Sequence, residues 1–258
     1  MYLPFIFSIP HCGIRVHKYL RSRMALDERE IQEAVDFGTD EIFGHMPVLA
    51  VIQAQWSRLV ADLNRDPLQR HEKGVVALVD YYGRRVFKPD CEPTAEQIEQ
   101  QVQRYHHPYH ELLRQALNRS GYLALFDCHS LNGTGPPDAP DAGQKRKDIT
   151  LSNNGDLRGQ PRSGMGPVTC PPDLLQIMAG IFEQQRFSVS INHPYKGGYI
   201  VKHYAPPLLK SDRFAVQIEM NQDLYMEAGS LEPDVGRISE VTGRLTGAFR
   251  ALANRLSA

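Results

Sequence analysis

Apolar and polar residues follow one another along this chain in blocks whose length and period separate strands from helices. Pro4 to Ile9 is apolar, with β-branched and aromatic members, and stops at Pro10-His11-Cys12-Gly13. That is a buried strand running into a tight loop. Asp27 to Phe43 places Ile31, Ala34, Val35, Ile42 and Phe43 at helical spacing. Asp27 fits as an N-cap with Glu30 three positions on, and Gly38-Thr39 is a weak point where the helix can break. Val48 to Ala54 reads as a second strand and Arg58 to Leu63 as a third, delivering Asp62-Leu63-Asn64-Arg65. Thr94 opens a helix to about Ser120, with Glu96 and Glu99 in its first turns and Gly121 as its stop.

Tyr122 to Phe126 is again a continuous apolar run, ending at Asp127-Cys128-His129-Ser130. Leu131 to Lys147 follows with three prolines, three glycines and a Lys-Arg-Lys run, the composition of a mobile surface loop. Ile149–Leu151, Phe187–Ile191 and Phe214–Met220 read as strands, and Asp173–Gln185 and Asp234–Leu256 as helices. Buried strands with interleaved helices predict an α/β domain over residues 1–258, with a mixed, mainly parallel sheet flanked by helices. Ligands of such open sheets bind beyond the carboxyl ends of the strands. His11, Asn64-Arg65, His129 and Glu219 each follow or end an apolar run, so one cleft can collect all four.

Composition narrows the function classes. Twenty-nine Lys and Arg stand against 30 Asp and Glu, a formal net charge of -1, which supplies no excess of cations for nucleic-acid binding. The apolar runs are strand-length, far short of the ~20 residues a membrane-spanning helix needs. The Met-Tyr-Leu-Pro start lacks the basic region and cleavage site of a signal peptide, so a cytoplasmic protein is expected. The four cysteines form no CxxC pair, which argues against a zinc ribbon or a disulfide framework. Cys12 and Cys128 each adjoin a histidine, leaving open a cysteine hydrolase beside the plainer reading of small buried strand-end residues.

Two histidines from different strand ends plus a carboxylate make a three-ligand set with an open position, the pattern of catalytic zinc. Such an ion polarises a carbonyl and lowers the pKa of its bound water to ~7. A separate carboxylate must then accept a proton, and Glu219, in an otherwise apolar strand, is either that base or a solvent-facing edge residue. Arg65 suits bidentate capture of a substrate carboxylate, or a simple salt bridge with Asp62 or Asp66.

Five segments resemble the N-formylglutamate amidohydrolases, in the order found there: Ser8-Ile9-Pro10-His11-Cys12-Gly13, Ala61-Asp62-Leu63-Asn64-Arg65-Asp66-Pro67, Asp127-Cys128-His129-Ser130, Pro194-Tyr195-Lys196-Gly197-Gly198-Tyr199-Ile200 and Gln217-Ile218-Glu219-Met220. The Asp-Leu-Asn-Arg and Asp-x-His segments also resemble the aspartoacylase and succinylglutamate desuccinylase group, with its zinc carboxypeptidase-like (phosphorylase/hydrolase-like) fold. The resemblance covers about residues 5 to 250. It implies a zinc-dependent amidohydrolase, one Zn2+ per chain, removing an acyl group, typically formyl, from an acidic amino acid. His11 and His129 then carry over as zinc ligands, Glu219 as general base, and Asn64, Arg65 and Lys196 as substrate-binding residues, with Arg65 also stabilising the developing oxyanion.

The third ligand departs from the related deacylases, which place a glutamate three residues after the first histidine; here Ile14 stands there. Asp36 matches an aspartate recurrent in formylglutamate-type sequences and is preferred, with Asp40, four residues on, as the alternative. His106 and His110 have i, i+4 spacing, but Pro108 intervenes and no carboxylate completes a motif, so a hydrogen-bonded or cleft-lining role is expected. His193, beside the Lys196 loop, is a candidate to line the cleft. The expected partner is a small N-acyl amino acid, with neither nucleic acid nor membrane, and the oligomeric state is open. The rival readings are a deacylase or carboxypeptidase-like hydrolase of another N-acyl amino acid, and a non-catalytic metal- or ligand-binding module.

Overall fold

The apolar blocks pair into a six-stranded sheet with the order β2-β1-β3-β6-β4-β5. Its strands are β1 (Leu3–Ile9), β2 (Val48–Gln53), β3 (Ala124–Leu131), β4 (Ile149–Ser152), β5 (Val189–Ile191) and β6 (Phe214–Asn221). Strands β2, β1, β3 and β6 run parallel, while β4 is antiparallel to β6 and carries β5 parallel to itself. The sheet is thus mixed and mainly parallel, flanked by helices on both faces. The computed structural model describes residues 2–227 and 230–257, so Met1 and Ala258, the ends of the expected 1–258 domain, lie outside the described residues.

Strand alternation sorts the side chains into two cores. Phe5, Phe7 and Ile9 of β1, Phe126 and Cys128 of β3, and Val216, Ile218 and Met220 of β6 share one face. They pack under α3 (Thr39–Phe43), α6 (Pro172–Gln184) and α8 (Val235–Ser257). Ile6, Leu125 and Ala215 point the other way, under α5 (His107–Leu117) and α7 (Tyr199–Leu209). On that second face the next positions are Ser8, Asp127 with His129, and Gln217 with Glu219, all buried. The first face stays apolar to the strand ends; the second turns polar there, and this row of buried polar groups is the floor of the site.

Several elements differ from expectation. Arg58–Leu63 is a turn-rich loop, not a strand: the Ser57 hydroxyl accepts from Leu59 N and Val60 N donates to Ser57 O. Its apolar run reflects burial in different directions, Leu59 in one cluster and Val60 with Ala61 in another. The Asp27–Phe43 stretch breaks into α2 (Glu28–Gln32) and α3, with Gly38 at φ 77 turning the chain between them. Only glycine takes that conformation readily. The helix opened by Thr94 runs as α4 (Ala95–Gln101), a π-helical turn (Val102–His106) and α5. The wide turn lies just before Pro108 and relieves the clash of its ring with the preceding turn. Unforeseen are α1 (Lys18–Arg23) and α7, the latter hidden by its Gly-Gly start and by Pro206-Pro207 in its last turn. No helix among the described residues is long and apolar enough to cross a membrane.

Phe249 of α8 joins the first core, its ring 4.9 Å from Phe7, 5.0 Å from Phe126, 5.7 Å from Phe182 and 5.8 Å from Phe5. Phe249→Ala is expected to cost ~3–5 kcal/mol by the lost transfer energy and the cavity left behind. Urea denaturation checks it, and a loss under ~1 kcal/mol would show that α8 is not integral to this core.

Candidate metal centre and active-site cleft

His11 leaves the end of β1, and its carbonyl accepts from Asp36 N at 3.0 Å, which fixes the break between α2 and α3 beside it. His129 comes from β3, with its polar neighbours on the second face of the sheet. Three ligand atoms converge: His11 Nδ1 and His129 Nδ1 at 3.0 Å, His129 Nδ1 and Asp36 Oδ2 at 3.1 Å, and His11 Nδ1 and Asp36 Oδ2 at 3.6 Å. All three residues are buried.

The outer nitrogens are held by carboxylates. His11 Nε2 donates to Asp62 Oδ1 at 2.8 Å and His129 Nε2 to Asp127 Oδ2 at 2.9 Å. An imidazole whose Nε2–H is so engaged presents Nδ1 inward as a lone pair, the arrangement that orients metal-ligating histidines. Two bare nitrogens at 3.0 Å repel each other unless a cation or a proton lies between them. Burial opposes charge on His129, but Asp127 and Asp36 outweigh it and hold its pKa well above the usual imidazole value. Burial likewise opposes charge on Asp36, yet the two imidazoles beside it pull its carboxyl below the ordinary range. The pocket stabilises positive charge among these three residues.

The backing carboxylates are themselves anchored. Arg58 donates to Asp62 through Nη2 at 2.6 Å and Nε at 3.2 Å, and also reaches the Tyr81 hydroxyl. Asp127 accepts from Ser8 Oγ at 2.9 Å and from Asn64 Nδ2 at 2.9 Å. Asn64 is therefore a bracket: Nδ2 also lies 3.2 Å from Gln217 Oε1, and Oδ1 accepts from Ile200 N at 2.8 Å. Gly198 packs so tightly on it that a Cβ there would fall 2.3 Å from the Asn64 side chain. The Gly-Gly pair thus serves close approach as well as a turn.

Glu219, 6% exposed, stands beside His129 across the β3–β6 ladder, and its Oε1 accepts from Gln217 Nε2 at 2.8 Å. Burial, with Asp36 and Asp127 nearby, pushes its pKa up to about 8, despite the opposing pull of His129. These groups open onto a cleft of about 210 Å³ that is also lined by Arg65, Lys196, Arg58, Tyr81, Arg146 and Tyr195. Arg65 Nε is 3.9 Å from Asp62, and Lys196 Nζ has the Met165 sulfur as its neighbour at 3.7 Å. Arg146 is bound through two nitrogens to Asp141 at 2.7 Å each. Both partners belong to the 131–147 loop, expected to be mobile, so the pair closes that loop on itself; Arg146 also lies over the Tyr195 ring at 5.5 Å, and Asn132 and Pro136 of the same loop line the cleft.

Other expected residues lie elsewhere. Asp40 is exposed on α3, and Asp36 sits before that helix, so the two do not share a helix face. His193 is exposed and does not line the cleft. Cys128 faces the apolar core, and burial raises its thiol pKa well above the ordinary value. Burial, aided by Asp40, pushes Cys12 up to about 12. Neither lines the cleft, which leaves a cysteine hydrolase without a nucleophile there.

The sequence profile of the N-formylglutamate amidohydrolases matches residues 3–226. The chain belongs to that family. An N-formylglutamate deformylase of Pseudomonas putida is 28% identical over 237 residues, covering 87% of this chain and 82% of the relative. One from Pseudomonas aeruginosa is 25% identical over 237 residues, covering 87% and 83%. The crystal structure of an N-formylglutamate amidohydrolase from Ralstonia eutropha JMP134 superposes with a TM-score of 0.78 at 21% identity, covering 98% of this chain and 94% of that one. The fold is therefore that of the N-formylglutamate amidohydrolase family, and the cleft lies at the carboxyl ends of parallel strands β1, β3 and β6, which bring His11, His129 and Glu219 to it.

Sequence reasoning missed Asp62 and Asp127 as the groups behind the histidines, and Arg58 as the counter-charge that makes Asp62 tolerable. Both acids sit inside the recognised motifs, one two residues before Asn64 and the other two before His129. The i, i+2 spacing on one strand face was the available signal for Asp127.

Glu219 links the site to stability. With a folded-state pKa near 8 against 4.5 when unfolded, it keeps a proton that the unfolded chain has lost, so its burial destabilises the metal-free protein progressively as pH rises from about 4.5 to 8. Glu219→Gln removes the titration. The variant should gain on the order of 2–4 kcal/mol over the parent at pH 8.5 and little at pH 5, read by denaturant unfolding of the metal-free proteins. An equal gain at both pH values would contradict a raised pKa.

Proposed function

We propose that this chain, as one catalytic domain over residues 1–258, hydrolyses N-formyl-L-glutamate to formate and L-glutamate in a zinc-dependent reaction. The observation that carries the reading is the buried His11–Asp36–His129 triangle with a separate buried carboxylate, Glu219, beside it in a cleft that also holds Arg65 and Lys196. The donor set fits the ion. Zinc bound tetrahedrally through nitrogen and oxygen at ~2.0–2.2 Å places its donors about 3.3 Å apart, and the three separations here are 3.0, 3.1 and 3.6 Å. Three protein ligands rather than four leave room for water and substrate, as catalytic sites require.

When bound there, zinc supplies Lewis-acid polarisation of the formyl carbonyl and a water acidic near neutral pH. The remaining work falls to the protein. Glu219 takes a proton from the attacking water and returns it to the departing amine nitrogen. Gln217 holds the Glu219 carboxylate in place. Arg65 and Lys196 pair with the substrate's carboxylates, Arg65 also facing the charge that develops on the carbonyl oxygen. Asn64 acts through its neighbours, since its amide is engaged with Asp127, Gln217 and Ile200. We place the reaction in the cytoplasm, acting on a small metabolite with neither nucleic acid nor membrane as partner.

Formate release from N-formyl-L-glutamate, set against acetate and succinate release from the matched N-acyl glutamates, is the deciding assay. Formate should lead by at least tenfold in kcat/KM, and preference for another acyl group would move the chain to a different deacylase specificity. Metal analysis of purified variants tests the site. Asp36→Ala and His129→Ala should lose most of their zinc while Asp40→Ala keeps it, and zinc lost only from the Asp40 variant would overturn the ligand assignment. Glu219→Gln should keep zinc and lose ~10²–10⁴ in kcat. Unchanged turnover in that variant would remove Glu219 from the mechanism.

A further inference from the structure

The carbonyls of three successive residues, Leu63, Asn64 and Arg65, all accept hydrogen bonds from one side. His110 Nε2 donates to Leu63 O at 2.9 Å, Tyr199 N to Asn64 O at 3.1 Å, and His106 Nε2 to Arg65 O at 3.0 Å. The two imidazoles stack at 4.2 Å with 22° between their planes, one turn apart at the junction of the π-helical turn and α5. His110 Nδ1 faces the Tyr204 hydroxyl of α7 at 3.0 Å, and its ring lies parallel to that of Tyr204. Neither histidine lines the cleft, and both Nε2 atoms are committed to backbone, so they do not make a second metal site.

Tyr199 begins α7 directly after Lys196-Gly197-Gly198, and its ring packs 5.5 Å from His110 and 6.0 Å from His106. The same pair of imidazoles therefore touches the two segments that bring Arg65 and Lys196 to the cleft. With its carbonyls held from behind, the loop keeps a fixed backbone, and the half-exposed Arg65 side chain projects from a fixed base.

We infer that His106 and His110 are positioning residues that set substrate affinity by clamping the Leu63–Arg65 backbone and fixing Arg65 relative to Lys196. The inference rests on the reading of Arg65 and Lys196 as the carboxylate-binding pair. Preorganisation of this kind lowers the ordering cost of binding and leaves the proton-transfer groups alone. A role in packing alone predicts loss of stability without a change in affinity.

The test uses the full zinc-loaded chain and four variants, His106→Ala, His110→Ala, His106→Gln and His110→Gln, because a glutamine amide nitrogen reaches about where Nε2 stands. Each alanine variant should raise KM for N-formyl-L-glutamate at least tenfold, lower kcat by a smaller factor than that through the loosened Arg65, and hold its zinc. Amide hydrogen exchange at Asn64 and Arg65 should quicken at least tenfold, and the glutamine variants should restore both readouts most of the way. If an alanine variant fails to fold, the comparison of Gln with Asn at the same position replaces it, since the shorter amide falls short of the carbonyl. Unchanged KM, a fall in kcat at constant KM, zinc loss or absence of rescue by Gln would each overturn the proposal. If the parent protein releases no formate, the functional reading fails on its own, and the exchange data alone decide whether the clamp exists.

Discussion

Two imidazoles can point their Nδ1 atoms at a common centre only if something holds their outer edges, and here that is done by buried carboxylates, Asp62 behind His11 and Asp127 behind His129. A buried carboxylate without partners carries an effective penalty of several kcal/mol, so each must be answered in turn. Asp62 is answered by Arg58, which outweighs the effect of burial and keeps the acid ionised. Asp127 is answered by Ser8 and Asn64, and Ser8 lies within hydrogen-bonding distance of Tyr109 at 2.9 Å. Requirements thus propagate outward from the histidines to a helix on one side and a loop on the other. The short motifs scattered through the sequence are parts of one hydrogen-bonded network.

That network is possible because the sheet has two unlike faces. Along β1, β3 and β6 the odd and even positions go to different cores, and only the face under α5 and α7 turns polar near the strand ends. The other face stays apolar to Ile9, Cys128 and Met220 and carries the phenylalanine cluster closed by α8. Cohesion and chemistry are separated by a single Cβ alternation. The separation also explains the cysteines: Cys128 neighbours His129 in sequence but lies on the opposite face, in the dry core.

The strand order could not be read from the chain, but the polar strand ends could, because a polar residue closing a continuous apolar run has few places to go in an α/β sheet. His11, His129 and Glu219 were legible on that ground, and the choice of Asp36 came from family resemblance. Arg58–Leu63 misled because consecutive apolar residues in a buried loop look like a strand when only their hydrophobicity is seen. Asn64, expected to touch substrate, does line the cleft, and its amide is also engaged with Asp127, Gln217 and Ile200, a bracket that only the geometry of Gly198 and Ile200 against it reveals. Tyr105-His106-His107-Pro108-Tyr109-His110 gave no motif, since the partners of His106 and His110 are backbone carbonyls some forty positions away, which no side-chain pattern records.

The near-neutral net charge takes on a local meaning in this arrangement. Arg58 and Arg146 line the cleft but are committed to Asp62 and Asp141, and in a low-dielectric setting such pairs contribute little field to an incoming anion. Arg65 is only 3.9 Å from the same Asp62, yet that aspartate is already answered by Arg58 at 2.6 Å. Lys196 has a thioether for a neighbour. Attraction for a small anion therefore concentrates at two points on the wall rather than over the surface, and under the function proposed above their separation, set by the loops that carry them, is the dimension that would select among acidic substrates.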